Sequence, residues 1–139
     1  MTLEIKIKKL NAEAIIPKYA HIGDAGMDVY ATSKKETDKF VEYGTGLSFE
    51  VPQNYVMLIF PRSSVTNKDL MLKNSVGVLD STYRGELILR FEKFGEDNYK
   101  IGERVGQIMI VPYPEIEFLE VNELSETTRG DGGFGSTGK

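Results

Sequence analysis

Tyr55-Val56-Met57-Leu58-Ile59-Phe60-Pro61 decides the fold. The run is apolar, carries β-branched and aromatic residues, and ends on Pro61. It is strand-sized, far short of the roughly 20 apolar residues of a membrane helix. Toward the N-terminus, Leu3, Ile5 and Ile7 alternate with Glu4, Lys6 and Lys8, the period-two pattern of a half-buried strand. Similar short runs follow at Met27–Ala31, Phe40–Tyr43, Leu47–Val51, Ser75–Leu79, Glu86–Phe91, Gln107–Val111 and Ile116–Val121. Gly, Pro, Asn or Asp punctuates most of the gaps. This spacing predicts an all-β sandwich or barrel. Helix fits poorly. Met27 to Tyr43 lacks Gly and Pro, but Thr32 to Lys39 in its middle is entirely polar, which predicts strand, turn, strand. Ser63 to Leu72 can hold at most one short helix, capped by Ser63 or Ser64.

The 139 residues make one domain, and 40% hydrophobic against 27% charged residues is a globular balance. Met1 to Leu10 alternates instead of carrying an apolar block, so no signal peptide is expected. Net charge is −4, from 17 basic and 21 acidic residues, and the basic blocks do not exceed the pairs Lys8–Lys9 and Lys34–Lys35. A nucleic-acid groove needs clustered cations. Neither nucleic acid nor a membrane is therefore an expected partner. Cysteine is absent, which removes disulfides, thiolate metal sites and a cysteine nucleophile, and permits the cytoplasm. His21, the sole histidine, reads as a surface or structural residue. The chemistry left is that of carboxylates, hydroxyls, amides, Arg and Lys, with a hard cation such as Mg²⁺.

Periodicity stops at Asn122, and five of the 14 glycines fall in the last ten residues. Residues 1–121 therefore read as the domain and residues 122–139 as a flexible C-terminal arm. The arm contains Arg129-Gly130-Asp131-Gly132-Gly133-Phe134-Gly135-Ser136-Thr137-Gly138-Lys139. Glycine N–H groups can close on an anion, Ser136 and Thr137 add hydroxyls, and Arg129 and Lys139 add charge. Phe134 is free to stack on a flat ring. Composition alone suits a disordered tail; the lone aromatic among phosphate-type donors favours a clamp for phosphate and base. Gly133 to Lys139 imitates a nucleotide P-loop, but no strand precedes it.

Other segments carry paired readings. Pro61-Arg62-Ser63-Ser64 is a capped turn with a solvated Arg, or an anion site at a helix start. Asn74 to Glu86 reads as strand, tight turn, strand. Within it Asp80 is a turn residue bonding its own backbone, or a general base at the end of an apolar strand. Tyr83 is a surface residue or a pocket wall. Arg104 and Gln107 are edge-strand polarity or ligands. Gly23-Asp24-Ala25-Gly26-Met27-Asp28 is a loop into a strand, or a water-mediated Mg²⁺ contact.

Taken in order, the segments resemble the trimeric deoxyuridine triphosphate nucleotidohydrolases, the dUTPases. The first motif resembles Ala25-Gly26-Met27-Asp28-Val29-Tyr30-Ala31, and the second is Pro61-Arg62-Ser63-Ser64. The third is Gly77-Val78-Leu79-Asp80-Ser81-Thr82-Tyr83-Arg84-Gly85-Glu86. Arg104-Val105-Gly106-Gln107 is the fourth, and Arg129 to Gly138 the fifth. Met27 departs from the family's usual aromatic, and no insertion separates the motifs.

The resemblance implies a β jelly roll (β-clip) and a dUTP diphosphatase. Such an enzyme converts dUTP to dUMP and pyrophosphate, which limits uracil incorporation into DNA and supplies dUMP for dTMP synthesis. Mg²⁺ would be bound mainly by the triphosphate, with Asp28 ordering its water shell. Asp80 would activate the attacking water, with Arg129, Gln107 and Ser63 also in catalytic roles. Arg62, Ser63, Ser64, Gln107, Arg129, Gly135, Ser136 and Thr137 would hold the phosphates. Asn74 and the backbone from Gly77 to Leu79 would read the uracil edge, and Phe134 would cover it. Tyr83 would stack on the deoxyribose and exclude a 2′-hydroxyl. The family implies a homotrimer with sites shared between subunits, in the cytoplasm or, for a viral copy, the host's. Two competing readings are the related dCTP deaminase, which generally lacks the fifth motif, and a non-enzymatic binder of dUTP or protein.

Overall fold

The alternating runs become two antiparallel sheets packed over one apolar core. The computed structural model describes residues 2–138, so Met1 and the Lys139 charge expected in the arm lie outside the described residues. The strands are β1 (Lys6–Lys9), β2 (Met27–Tyr30), β3 (Ser33–Glu36), β4 (Phe40–Glu50) and β5 (Tyr55–Phe60). They continue as β6 (Leu70–Leu72), β7 (Gly77–Leu79), β8 (Glu86–Lys93) and β9 (Arg104–Pro112). One sheet runs β1–β4–β8–β6 with β3 also on β4; the other runs β2–β9–β5–β7. Apart from the β3–β4 hairpin, strands adjacent in space are not consecutive in sequence, the crossover connectivity of a jelly roll.

β5 fills its expected place. It lies between β7 and β9, with Met57 opposite both Leu79 and Ile110. β4 differs from expectation. The sequence predicts two strands broken at Gly44-Thr45-Gly46; the structure runs one strand through them with a bulge against β8 between Gly44 and Ser48. Gly46 takes φ +67°, which only glycine adopts freely. Thr45 repairs the ladder, donating from Oγ1 to Leu87 O at 2.7 Å and accepting from Leu47 N at 3.3 Å.

Three other expectations are corrected. The polar turn expected within Thr32 to Lys39 contains β3, whose lysines, Lys35 exposed and Lys34 half-buried, suit an edge strand. The helix expected over Ser63 to Leu72 is a 3₁₀ turn, Ser63–Asn67, followed by β6. Its cap position is Arg62, with no side-chain cap from either serine. Ile116–Val121 forms no strand, and Phe118 and Leu119 are 90% and 85% exposed. Their alternation has no partner strand within this chain.

Tyr43, Phe91 and Tyr99 form an aromatic cluster in the core, with ring centroids 5.8–6.2 Å apart. Tyr43 Oη donates to Tyr99 O at 2.7 Å. Burial pushes its phenol far above the ordinary value. Tyr43→Phe strands that buried carbonyl and should cost about 1–3 kcal/mol of stability in urea unfolding. A loss under about 0.5 kcal/mol would mean another donor reaches Tyr99 O.

Candidate active site

Strand register builds the first polar group. Asp28 on β2 and Phe60 on β5 both lie opposite Gln107 on β9. Gln107 Nε2 donates to Pro61 O at 3.0 Å, fixing the chain where Arg62 leaves the sheet. Arg62 Nε meets Asp28 Oδ1 at 2.8 Å, and Arg104 Nη1 meets Asp28 Oδ2 at 3.3 Å. Both carboxylate oxygens are thus on guanidiniums, which holds two cations side by side. Arg62 also donates to Ser64 Oγ at 3.2 Å, and Ser64 bonds Tyr99 Oη at 2.8 Å. A Cβ at Gly26 would meet Gln107 Oε1 at 2.7 Å, so a side chain there would shift the amide that holds Pro61 O. Cavities of about 350 and 380 Å³ flank the group, one lined by Arg62, Ser64 and Arg104, the other by Gly26, Asp28 and Gln107. Asp24 also lines the second cavity, and it caps its own turn by accepting from His21 N at 2.8 Å. Ser63 is exposed at the start of the 3₁₀ turn.

The hairpin between β7 and β8 builds the second group. A cavity of about 200 Å³ is lined by Asn74, Gly77, Leu79, Asp80 and Tyr83, with Leu87 and Leu89 behind. β7 presses close on β5: a Cβ at Gly77 would meet Ile59 Cβ at 2.9 Å. Tyr83 N donates to Asp80 O at 3.1 Å and closes the turn. The Asp80 carboxylate takes no hydrogen bond and no ion pair among the described residues, so it does not act as a side-chain turn brace. Arg84 does that work. Its Nη1 donates to Ser81 O at 2.6 Å, and its Nη2 meets Glu50 at 3.3 Å. Lys6 also meets Glu50, at 2.8 Å, and this contact with its charge holds the carboxyl below the usual range.

The arm stands apart. Its described hydrogen bonds are internal: Arg129 Nε to Gly132 O, Gly132 N to Arg129 O, Gly130 N to Thr127 Oγ1, Ser136 N to Gly133 O and Gly138 N to Gly135 O. Phe134 is wholly exposed at φ +53°. Within one chain, then, Arg62, Ser64, Gln107 and Asp28 come together, as do Asn74, Gly77, Leu79, Asp80 and Tyr83. Arg129, Phe134, Gly135, Ser136 and Thr137 join neither group, and the two groups share no cavity. Sequence reading left out the Arg104–Asp28 pair and Tyr99. The first emerges only from the β2–β9 register; the second lies in a polar loop with no periodic signal.

Among the described residues no three His, Asp or Glu side chains are grouped to hold a metal. One braced carboxylate suits a Mg²⁺ that arrives on a ligand's phosphates and keeps its waters. Paired guanidiniums with hydroxyl and amide donors accept linked phosphates, and the small hairpin cavity accepts a flat ring. Fold and site together define a nucleotide-binding jelly roll.

The family model described as dUTPase matches residues 12–138. The chain belongs to the dUTPase family. It is 40% identical to a deoxyuridine 5'-triphosphate nucleotidohydrolase of Clostridium tetani over 144 aligned positions, covering 97% of each chain. It is 41% identical to one of Crocosphaera subtropica, covering 98% of this chain and 99% of the relative. The structure of the Staphylococcus bacteriophage 80alpha dUTPase with dUPNHPP superposes with a TM-score of 0.81 at 28% identity, covering 99% of this chain and 100% of that one.

Asp28→Asn keeps the side chain's size but removes the charge facing two arginines. With metal chelated, it should lower stability by about 1 kcal/mol, the scale of a partly exposed ion pair. Urea unfolding in EDTA measures this; no change would disprove the brace.

Proposed function

We propose that this protein hydrolyses dUTP to dUMP and pyrophosphate, with Asp80 as the base. The observation that carries the reading is the free Asp80 carboxylate beside the hairpin cavity, in a chain of the dUTPase family. A base needs an unengaged lone pair, and Asp80 has one, whereas Tyr83, Arg84 and Glu86 in the same hairpin are hydrogen-bonded. The carboxylate takes a proton from water as the water oxygen attacks the α-phosphorus. The bond from that phosphorus to the bridging oxygen breaks, and pyrophosphate leaves with the electron pair. Charge that develops on the phosphates needs fixed donors. Arg62, Ser63, Ser64 and Gln107 supply them from the sheet ends, and Arg129, Gly135, Ser136 and Thr137 from the arm. Mg²⁺ bound with the triphosphate would neutralise part of its charge, and Asp28 would help to order its water shell. Asn74 and the backbone of Gly77 and Leu79 read the pyrimidine edge, Tyr83 walls the sugar and Phe134 covers the base.

The active unit in this reading is a homotrimer with shared sites, formed by domains of residues 1–121 and arms of residues 122–139. The separation of the two polar groups supports it, since one chain does not join phosphate donors to base pocket. So does the exposed run containing Phe118 and Leu119, and an apolar groove of about 540 Å³ lined by Leu3, Ile5, Ile7, Tyr19, Tyr55 and Ile110. No helix among the described residues is long and apolar enough to cross a membrane. The setting we propose is the cytoplasm, the host's for a viral copy.

A panel of dUTP, dTTP, dCTP and UTP with Mg²⁺, followed by pyrophosphate release, tests the reaction; dUTP should dominate. Asp80→Asn should lower kcat by at least ~100-fold, and near-normal turnover would remove Asp80 from the role. Ammonia release from dCTP would favour the deaminase reading. Deleting residues 129–139 should abolish turnover with the fold intact by circular dichroism, because Phe134 and its neighbours contribute no core. Co-refolding that deletion variant with Asp80→Asn should restore part of the activity if sites are shared. No restoration in a trimer proven by light scattering would place each arm over its own chain.

A further inference from the structure

Gly85 has no positive φ, so its backbone does not require a glycine. Space requires it. A Cβ at Gly85 would collide with the hydroxyl of Tyr83, and would meet its Cζ at 2.6 Å and its Cε2 at 3.1 Å. Carbon atoms in good contact sit about 3.5–4 Å apart, so the ring would have to move by about 1 Å. In the native hairpin the ring is pinned where it lies. Tyr83 Oη donates to Glu86 O at 3.0 Å, and Tyr83 N is held by Asp80 O at 3.1 Å. The backbone beneath is fixed as well, because Ser48 Oγ on β4 donates to Arg84 O at 2.5 Å and Gly85 O at 3.1 Å. The ring is therefore seated on a bare backbone position that cannot retreat.

We propose that Gly85 is a positioning residue that sets sugar selectivity: its missing side chain seats the Tyr83 ring at the depth that admits a 2′-deoxyribose and leaves no room for a 2′-hydroxyl. This rests on the dUTP reading and names the residue that enforces it. Tyr83 lines the hairpin cavity with Asn74 and Asp80, so a shift of its ring changes the wall that a sugar meets. Tyr83 is also 45% exposed, which gives the displaced ring a way out. A Cβ at position 85 breaks the hydroxyl's bond to Glu86 O and swings the ring toward solvent. The wall recedes, while Asp80 and the phosphate donors keep their places.

The test compares kcat/KM for dUTP and UTP in the full-length protein. In Gly85→Ala the dUTP preference should fall by at least ~10-fold, the scale on which a pocket distinguishes a single added group. Tyr83→Ala should lose the preference too. Adding Gly85→Ala to Tyr83→Ala should change the preference no further, since there is then no ring to displace. A general packing defect would lower both substrates together and leave the ratio alone; that result, or a ratio moved less than twofold, overturns the proposal. If Gly85→Ala does not fold, the double variant decides. Folding of the double variant with the preference of Tyr83→Ala supports the seat; failure to fold where Tyr83→Ala folds overturns it. Absence of dUTP turnover in the unsubstituted protein would overturn the dUTP reading together with this inference, whereas turnover with an unmoved ratio overturns the seat alone.

Discussion

β4 is the constraint on which the rest depends. Among the described residues the buried polar side chains are Thr45 and Ser48, both on this strand. Each gives its hydroxyl to backbone carbonyls at or just before the start of β8: Thr45 to Leu87 O, Ser48 to Arg84 O and Gly85 O. A buried hydroxyl without a partner costs more than the bond contributes, so these contacts specify one register. The bulge at Gly44 to Ser48 exists because two β4 residues must be accommodated beyond what β8 can pair. Its outcome is a hairpin whose backbone is bolted to the middle of the larger sheet. Glu50, two residues beyond Ser48, holds the hairpin from outside through Arg84.

That rigidity sits beside its opposite. The first polar group and the hairpin are built on strands, but the arm makes its described hydrogen bonds only to itself. Fixing a residue's backbone costs on the order of 1 kcal/mol, so closing ten residues over a ligand demands several strong contacts at once. Charge-assisted bonds from Arg129 and stacking by Phe134 are of the right kind. A base alone, or pyrophosphate alone, supplies only part of them. Under the proposed function, closure is therefore favoured on an intact nucleoside triphosphate, and the separated products are released.

The legible parts of the sequence were those where local pattern and global fold agree. β5 and the Asn74–Glu86 hairpin were readable because apolar runs and turn residues act locally. β3 was hidden because an edge strand needs no apolar face; Lys34 and Lys35 look like a turn until pairing with Tyr43 and Glu42 is seen. The bulge was hidden because Gly44 and Gly46 mark a break as readily as a distortion. Ile116–Val121 misled for the converse reason: its alternation is real, but no strand of this chain pairs with it. The candidate site divides in the same way. Motif order pointed to Arg62, Asp80, Gln107 and the arm, whereas the Arg104–Asp28 contact depends on two strands 76 residues apart.

Net charge does not conflict with anion binding here. The chain carries −4 overall, yet Asp28 holds Arg62 and Arg104 together at one end of the smaller sheet. At physiological salt a potential is screened within about 8 Å, so the local arrangement outweighs the total. The carboxylate has a double effect. It lowers the repulsion between two guanidiniums and limits their net charge to about one unit until a ligand arrives. An anion that displaces or shares this contact gains donors already aimed, without the cost of gathering them. Asp28 therefore organises two cations at one site, while Asp80, at the hairpin, has no ion pair among the described residues.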